Sequence, residues 1–251
     1  MALRFENKVA IVTGASSGLG ATLAERLVAE GASVVGVGRN SERLHALCDT
    51  LASTGDNITA VLADLADPGQ CASAVAAAID HYGKLDILIN AAGAHILRHS
   101  TEVTPEQWQR DIATNLNGPF FMSRYALPHL LASAGNIVNI GSLASQQGQA
   151  YSAAYCAAKH GIVGITRAMA LEYTSQAIRI NAVCPGGMLT PQVENFSAPA
   201  DADFDLVMRS AAPRGMMTTD QVADTVLFVA SDQASSLHGA VIMADNGKTA
   251  G

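Results

Sequence analysis

The sequence predicts an α/β protein: a doubly wound parallel sheet of about seven strands, helices on both faces, and one domain across residues 1–251. Three observations predict it. Short β-branched runs alternate with longer Ala- and Leu-rich amphipathic stretches, the pattern of repeated βα units. The strand-like runs are short enough to be buried on both faces, as strands of a covered parallel sheet are. No repeat, linker or low-complexity tract marks a second domain, and 251 residues lie within the size that a single α/β core reaches.

In chain order, Val9-Ala10-Ile11-Val12 is apolar at every position, and residues 9–12 are predicted as the first strand. Helical spacing of apolar residues follows at 19–29. Ser33-Val34-Val35-Gly36-Val37 is the second strand, 42–51 a helix, and 58–63 the third strand. Residues 68–81 read as a helix, 85–90 as the fourth strand, and 105–131 as a long helix bent near Gly118-Pro119. Strands at 136–140, 178–183 and 241–244 and helices at 152–174 and 219–230 complete the alternation. Residues 186–215 break it. With Pro185 before them, they hold Pro191, Pro199 and Pro213 and the acids Asp201, Asp203 and Asp205, which suits a mobile segment covering a site.

Composition narrows the function. Apolar residues make up 49% and charged residues 15%, which excludes a disordered tail, a collagen-like repeat and a solvated coiled coil. Lys plus Arg is 15 against 22 Asp plus Glu, a net charge of −7, so neither nucleic acid nor an anionic membrane is an expected partner. No apolar run approaches a bilayer span, and Arg4, Glu6 and Lys8 occupy the place of a signal peptide's apolar core. A cytoplasmic protein is expected. Cys48, Cys71, Cys156 and Cys184 form no C-x-x-C pair and read as reduced, small hydrophobes.

Thr13-Gly14-Ala15-Ser16-Ser17-Gly18-Leu19-Gly20 links the first strand to its helix. A glycine-rich turn here lets backbone N–H groups approach a pyrophosphate at the positive end of the helix. The spacing lacks the lysine of an ATP-binding loop, and by itself it also suits an ordinary strand-to-helix turn. Tyr155 and Lys159 fall four apart in one predicted helix and so share a face. An ammonium near a phenol stabilises the phenolate and brings proton transfer within range, although a tyrosine and a lysine on a solvated surface would show the same spacing. Ser142, after the fifth strand, is the third member: its hydroxyl would donate to a carbonyl oxygen that the tyrosine protonates. Tyr151 is a rival acid but stands at the helix start, farther from Lys159. His95 and His99 read as pocket wall or surface, with no carboxylate spacing around them that suggests a metal.

With these motifs in order, the chain resembles the short-chain dehydrogenase/reductase family from Lys8 to Gly247. Thr13 to Gly20 fits its T-G-x-x-x-G-x-G turn, Asp64 in Ala63-Asp64-Leu65 its adenine contact, and Asn90-Ala91-Ala92-Gly93 its N-A-A-G. Asn115, Ser142 and Tyr155-x-x-x-Lys159 fit its catalytic group, and Pro185-Gly186 with Thr190 its nicotinamide-holding segment. The family's V-D-G-G is replaced by Ala244-Asp245-Asn246-Gly247, a departure that touches packing. The resemblance implies a Rossmann-type fold and hydride transfer between a nicotinamide dinucleotide and a small-molecule carbonyl or secondary alcohol. It implies catalytic roles for Asn115, Ser142, Tyr155 and Lys159, with Tyr155 the acid in reduction, Lys159 tuning it and holding the ribose, and Asn115 holding a water. Cofactor contacts are implied for Gly14, Ser16, Ser17, Gly18, Leu19, Gly20, Arg39, Asp64, Leu65, Asn90, Ala91, Gly93, Tyr155, Lys159, Pro185, Gly186, Met188 and Thr190. Asn90 equally suits a structural amide between strands.

Gly38 supplies no acid after the second strand to bind a ribose hydroxyl, and Arg39 follows with a guanidinium suited to a phosphate. NADP(H) is therefore favoured over NAD(H), and a ketone reductase using NADPH is the expected activity. An NAD-dependent alcohol dehydrogenase of the same family is the alternative, then a dinucleotide-sensing protein without chemistry. A methyltransferase would leave the Tyr155/Lys159 pair without a purpose. Met188, Leu189, Met208, Met216 and Met217 either line an apolar pocket or pack the irregular segment on the core. The resemblance further implies a homotetramer built on the helices at 105–131 and 152–174, whose alanines suit close helix contact or helix-on-sheet packing equally.

Overall fold

Seven short runs assemble into one parallel sheet, in the order β3-β2-β1-β4-β5-β6-β7. The computed structural model describes residues 3–52, 57–191 and 197–250. The strands are β1 (Val9–Thr13), β2 (Ser33–Gly38), β3 (Ile58–Leu62), β4 (Ile87–Asn90), β5 (Asn136–Ile140), β6 (Arg179–Pro185) and β7 (Val241–Ala244). Every residue of β1, β4 and β5 is buried, because helices cover both faces. β4 begins two residues later than the apolar run suggests. Asp86 is drawn off to the sheet's lower rim, where its carboxylate accepts from the Val9 N–H at 2.8 Å and pairs with Lys84 at 3.0 Å.

The helices are α1 (Gly18–Ala29), α2 (Ser41–Ala52), α3 (Pro68–Tyr82), α4 (Pro105–Ile112), α5 (Gly118–Ala132), α6 (Ala153–Glu172), α7 (Phe204–Met208) and α8 (Thr219–Ala230). Period-two alternation divides the sheet between two cores. Ala10 and Val12 join Leu23, Leu27 and Leu44 of α1 and α2 and Val226 of α8, while Ile11 joins Cys71, Met122 and Met169 of α3, α5 and α6. The long helix expected at 105–131 is divided by a π-helical segment, Ala113–Asn117. Its cause is local. The Asn115 side-chain amide donates to the Asp111 carbonyl at 3.0 Å, and Pro119 has no N–H to give to the preceding turn. Gly118 then passes so close to Leu65 that an added Cβ would lie 2.8 Å from the Leu65 Cβ.

The chain winds outward from β1 to β3 and returns beside β1 at β4. That reversal leaves a crevice at the carboxyl ends of β1 and β4, where doubly wound sheets bind ligands. Of the irregular segment expected at 186–215, residues 192–196 lie outside the described residues. The rest includes α7 and is tied at its base by a parallel bridge between Met188 and Met217.

Candidate active site

The glycine turn forms the floor of the crevice. Gly14 has φ +75°, and a Cβ there would lie 2.9 Å from the Ala92 Cα; one at Gly20 would overlap the Gly14 carbonyl. Only glycine permits that approach. Thr13 fastens the turn to the neighbouring strand end, its Oγ1 accepting from the Ala92 N–H at 3.0 Å. The resulting cleft, about 320 Å³, is bordered by Gly14, Ser16, Ser17, Gly18, Leu19 and Gly20 of the turn, Arg39 after β2, Asp64 and Leu65 after β3, and Ala91 and Gly93 after β4. Ser142, Tyr155, Lys159, Pro185, Gly186, Met188 and Thr190 close its other end. Seven segments scattered over the sequence thus meet at one sheet edge. Ala92, Ala94, Thr114, Ile140 and Gly141 line it as well; small or apolar, they carry no chemical signature by which sequence reading would find them.

Asp64 is held rather than free. Burial opposes its ionisation, but the Ala66 N–H at 3.1 Å and the Arg110 guanidinium at 2.8 Å, with help from the Arg39 charge, hold its carboxyl below the usual range. Arg39 itself is exposed and has no ion pair or hydrogen bond among the described residues.

Ser142 follows β5 and caps the short 3-10 turn Leu143–Ser145, its Oγ accepting from the Ala144 N–H at 3.1 Å. Its proton remains available toward the Tyr155 phenol, whose ionisation the nearby hydroxyl favours. Tyr155 and Lys159 lie one turn apart on α6, as their spacing requires. The ammonium that this spacing brings near the phenol is also tied to the backbone. Lys159 is 4% exposed, its Nζ donates to the Ile140 carbonyl at 2.8 Å, and it lies 5.7 Å from the Tyr155 ring centre. The open carbonyl at the end of β5 captures the ammonium. Burial pushes the phenol up, against the Ser142 hydrogen bond, and lowers the Lys159 ammonium to about 8.

Two expected site residues stand behind the cleft wall. Asn90 is buried, and its amide nitrogen donates to Asn139 Oδ1 at 2.8 Å, Ser123 Oγ at 3.1 Å and the Pro119 carbonyl at 3.3 Å. It ties β4 to β5 and α5, the structural alternative, while its Oδ1 is buried with no hydrogen-bond partner among the described residues. Asn115 is also fully buried. Its Oδ1 accepts from the Ala94 N–H at 3.0 Å and its Nδ2 donates to the Ala94 carbonyl at 2.9 Å, so the side chain holds the loop after β4. Across Gly93 it faces Lys159: a Cβ on that glycine would lie 3.0 Å from Asn115 Oδ1 and 3.6 Å from Lys159 Nζ.

The loop after β4 adds aromatic neighbours. His95 stacks on Tyr155 with ring centres 4.1 Å apart and planes at 17°. His99 pairs with Asp201 at 2.8 Å and meets Tyr151 edge-on at 5.0 Å. Tyr151 is not placed as an acid; its hydroxyl accepts from the Asp203 N–H at 2.8 Å. The methionine cluster divides: Met217 is buried and Met188 packs on the core, whereas Leu189, Met208 and Met216 are exposed.

Residues 8–201 match the short chain dehydrogenase family model. The chain is 35% identical to meso-2,3-butanediol dehydrogenase of Serratia marcescens, with 99% of this chain and 97% of that protein aligned. It is 37% identical to cyclohexanol dehydrogenase of an Acinetobacter species, with 99% and 98% aligned. Among solved structures, 3-ketoacyl-(acyl-carrier-protein) reductase from Brucella melitensis, complexed with NADH, superposes with a TM-score of 0.88 at 31% identity, covering 98% of this chain and 99% of that one. Full-length likeness of this kind, on a cleft that assembles serine, tyrosine and lysine beside a glycine cradle, makes the chain a member of the short-chain dehydrogenase/reductase family, an oxidoreductase acting on CH–OH groups.

Proposed function

We propose that the protein is an NADPH-dependent ketone reductase, able to run in reverse on secondary alcohols. The observation that carries the reading is that Ser142, Tyr155 and Lys159 line one cleft with a glycine cradle. That cradle fits a dinucleotide: side chains at Gly14 or Gly20 would fill it, and its N–H groups stand at the start of α1, where a pyrophosphate is favoured. A bound nicotinamide dinucleotide supplies the hydride that the carbonyl carbon accepts. The Tyr155 hydroxyl gives its proton to the carbonyl oxygen, which becomes the alcohol, while Ser142 orients that oxygen. Lys159 holds the nicotinamide ribose.

The preference for NADPH rests on two neighbours. Arg39 borders the cleft with no ion pair or hydrogen bond among the described residues, its charge felt by Asp64 only at longer range, and its guanidinium suits a 2′-phosphate. A side chain at Gly38, where an acid would favour NADH, would have its Cβ 3.2 Å from the Ser16 side chain. The bonds from His99 and Tyr151 to Asp201 and Asp203 support residues 186–215 as the cover of the substrate. A cytoplasmic homotetramer completes the reading. Among the described residues no helix is long and apolar enough to cross a membrane, and Trp108, Phe120 and Leu171 on α4, α5 and α6 are exposed. Light scattering at micromolar concentration that gives a 25.9 kDa particle refutes the tetramer.

The function is tested by following nicotinamide absorbance with NADPH and NADH against ketones, sugars, steroids and β-ketoacyl thioesters. Turnover with at least one carbonyl and a lower Michaelis constant for NADPH are expected; no turnover across the panel overturns the reading.

A further inference from the structure

The histidine stacked on Tyr155 is hydrogen-bonded through one ring nitrogen. Its Nε2 lies 2.7 Å from Ser152 Oγ, and Ser152, which has one hydroxyl proton, gives it to the Ala150 carbonyl at 3.1 Å. The arrangement that satisfies both bonds has Ser152 accepting from the histidine, with the ring's proton on Nε2. Nδ1 is left as a bare acceptor, with no hydrogen-bond partner among the described residues. Burial, then the Lys159 charge, lowers the imidazolium to about 4, so the ring is neutral at neutral pH. Ser152 is buried and immediately precedes α6, the helix that carries Tyr155, so one rigid element holds both rings.

We propose that His95 is a specificity-determining residue that selects alcohols and ketones bearing a second hydroxyl beside the reacting carbon, its Nδ1 accepting that hydroxyl's proton. The proposal rests on the cleft being a carbonyl/alcohol site and deepens that reading. Rings in face contact present their edges side by side. Tyr155 and Ser142 serve the reacting oxygen, and in this proposal an adjacent hydroxyl meets the imidazole edge beside the phenol. A neutral ring with a lone pair rewards a donor and offers nothing to a carboxylate, the other common polar substituent. The basic side chains on the same loop are engaged elsewhere, Arg98 with Asp111 at 2.8 Å and His99 with Asp201. A site that hydrogen-bonds a substrate hydroxyl discriminates against the analogue lacking it.

The test compares kcat/KM for pentane-2,3-diol and pentan-2-ol in the wild type, His95→Phe and His95→Gln, with each oxidised dinucleotide. His95→Phe keeps a flat ring on Tyr155 but has no acceptor; His95→Gln keeps one amide donor for Ser152 and one acceptor. The readout is the ratio of the two substrates, because disturbing Tyr155 alone lowers both together. The wild type is expected to favour the diol by at least about tenfold, near 1.4 kcal/mol. That ratio is expected to fall to about one in His95→Phe and to stay within about threefold of wild type in His95→Gln. Dinucleotide titration by nicotinamide fluorescence checks that each variant is folded. A wild-type ratio near one, or a ratio unchanged in His95→Phe, overturns the proposal while leaving the oxidoreductase reading intact. Absence of turnover with every alcohol and ketone overturns both.

Discussion

Replacing Lys159 with Met is expected to leave the protein more stable and catalytically inactive. The ammonium is 4% exposed and is held by the Ile140 carbonyl at 2.8 Å. Burial lowers it from an ordinary 10.5 to about 8; at about 1.4 kcal/mol for each tenfold change in proton affinity, keeping it charged at neutral pH costs about 3 kcal/mol. Methionine fills a similar volume without charge. Losing the hydrogen bond leaves the Ile140 carbonyl unpaired, which returns about 1–2 kcal/mol of that gain. A net stabilisation of about 1–2 kcal/mol at pH 7 remains, which raises Tm by roughly 2–8 °C for a chain of this size. The pH dependence separates this cause from others. The folded protein binds the Lys159 proton more weakly than the unfolded chain, so wild-type stability from this group rises with pH between about 8 and 10.5 and lacks that contribution below. The advantage of Lys159→Met, measured by urea denaturation without dinucleotide, should therefore shrink by about 1 kcal/mol between pH 7 and pH 9. A variant less stable than wild type at pH 7, or an advantage that does not change with pH, would refute the reasoning. Retaining a destabilising lysine is the stability cost often found at a working site.

Tyr155→Phe should cut turnover by roughly 10²–10⁴ while dinucleotide affinity stays within a few-fold; near-normal turnover in the absorbance assay would remove Tyr155 from its role. Arg39→Ala should raise the Michaelis constant for NADPH about tenfold, near 1.4 kcal/mol, with little effect on NADH. Equal effects on the two cofactors would end the 2′-phosphate argument. Gly14→Ala places a Cβ at φ +75°, 2.9 Å from the Ala92 Cα. It should cost about 1–3 kcal/mol of stability and at least about tenfold in dinucleotide affinity; unchanged urea melts and titrations would show the cradle to be yielding.

What the sequence determined by itself is what depends on near neighbours in the chain. Strands and helices were legible because an all-apolar run such as Val9 to Val12 permits burial on both faces, and helical periodicity repeats within a few residues. The shared face of Tyr155 and Lys159 follows from helix geometry alone, and the glycine turn from its φ requirements. Tertiary structure decided whatever depends on partners brought from afar. Strand order placed the Ile140 carbonyl under Lys159, so one ammonium proton goes to β5, a partner that the four-residue spacing from Tyr155 does not foretell. Asn90 became a tie among β4, β5 and α5, and Asn115 a clamp on Ala94, because a buried amide takes whatever partners packing supplies. His95 acquired its stack on Tyr155 and its hydrogen bond with Ser152, across a separation at which no local periodicity acts. Spacing along the chain names the chemical groups; the hydrogen bond each one makes is settled only when distant backbone arrives beside it.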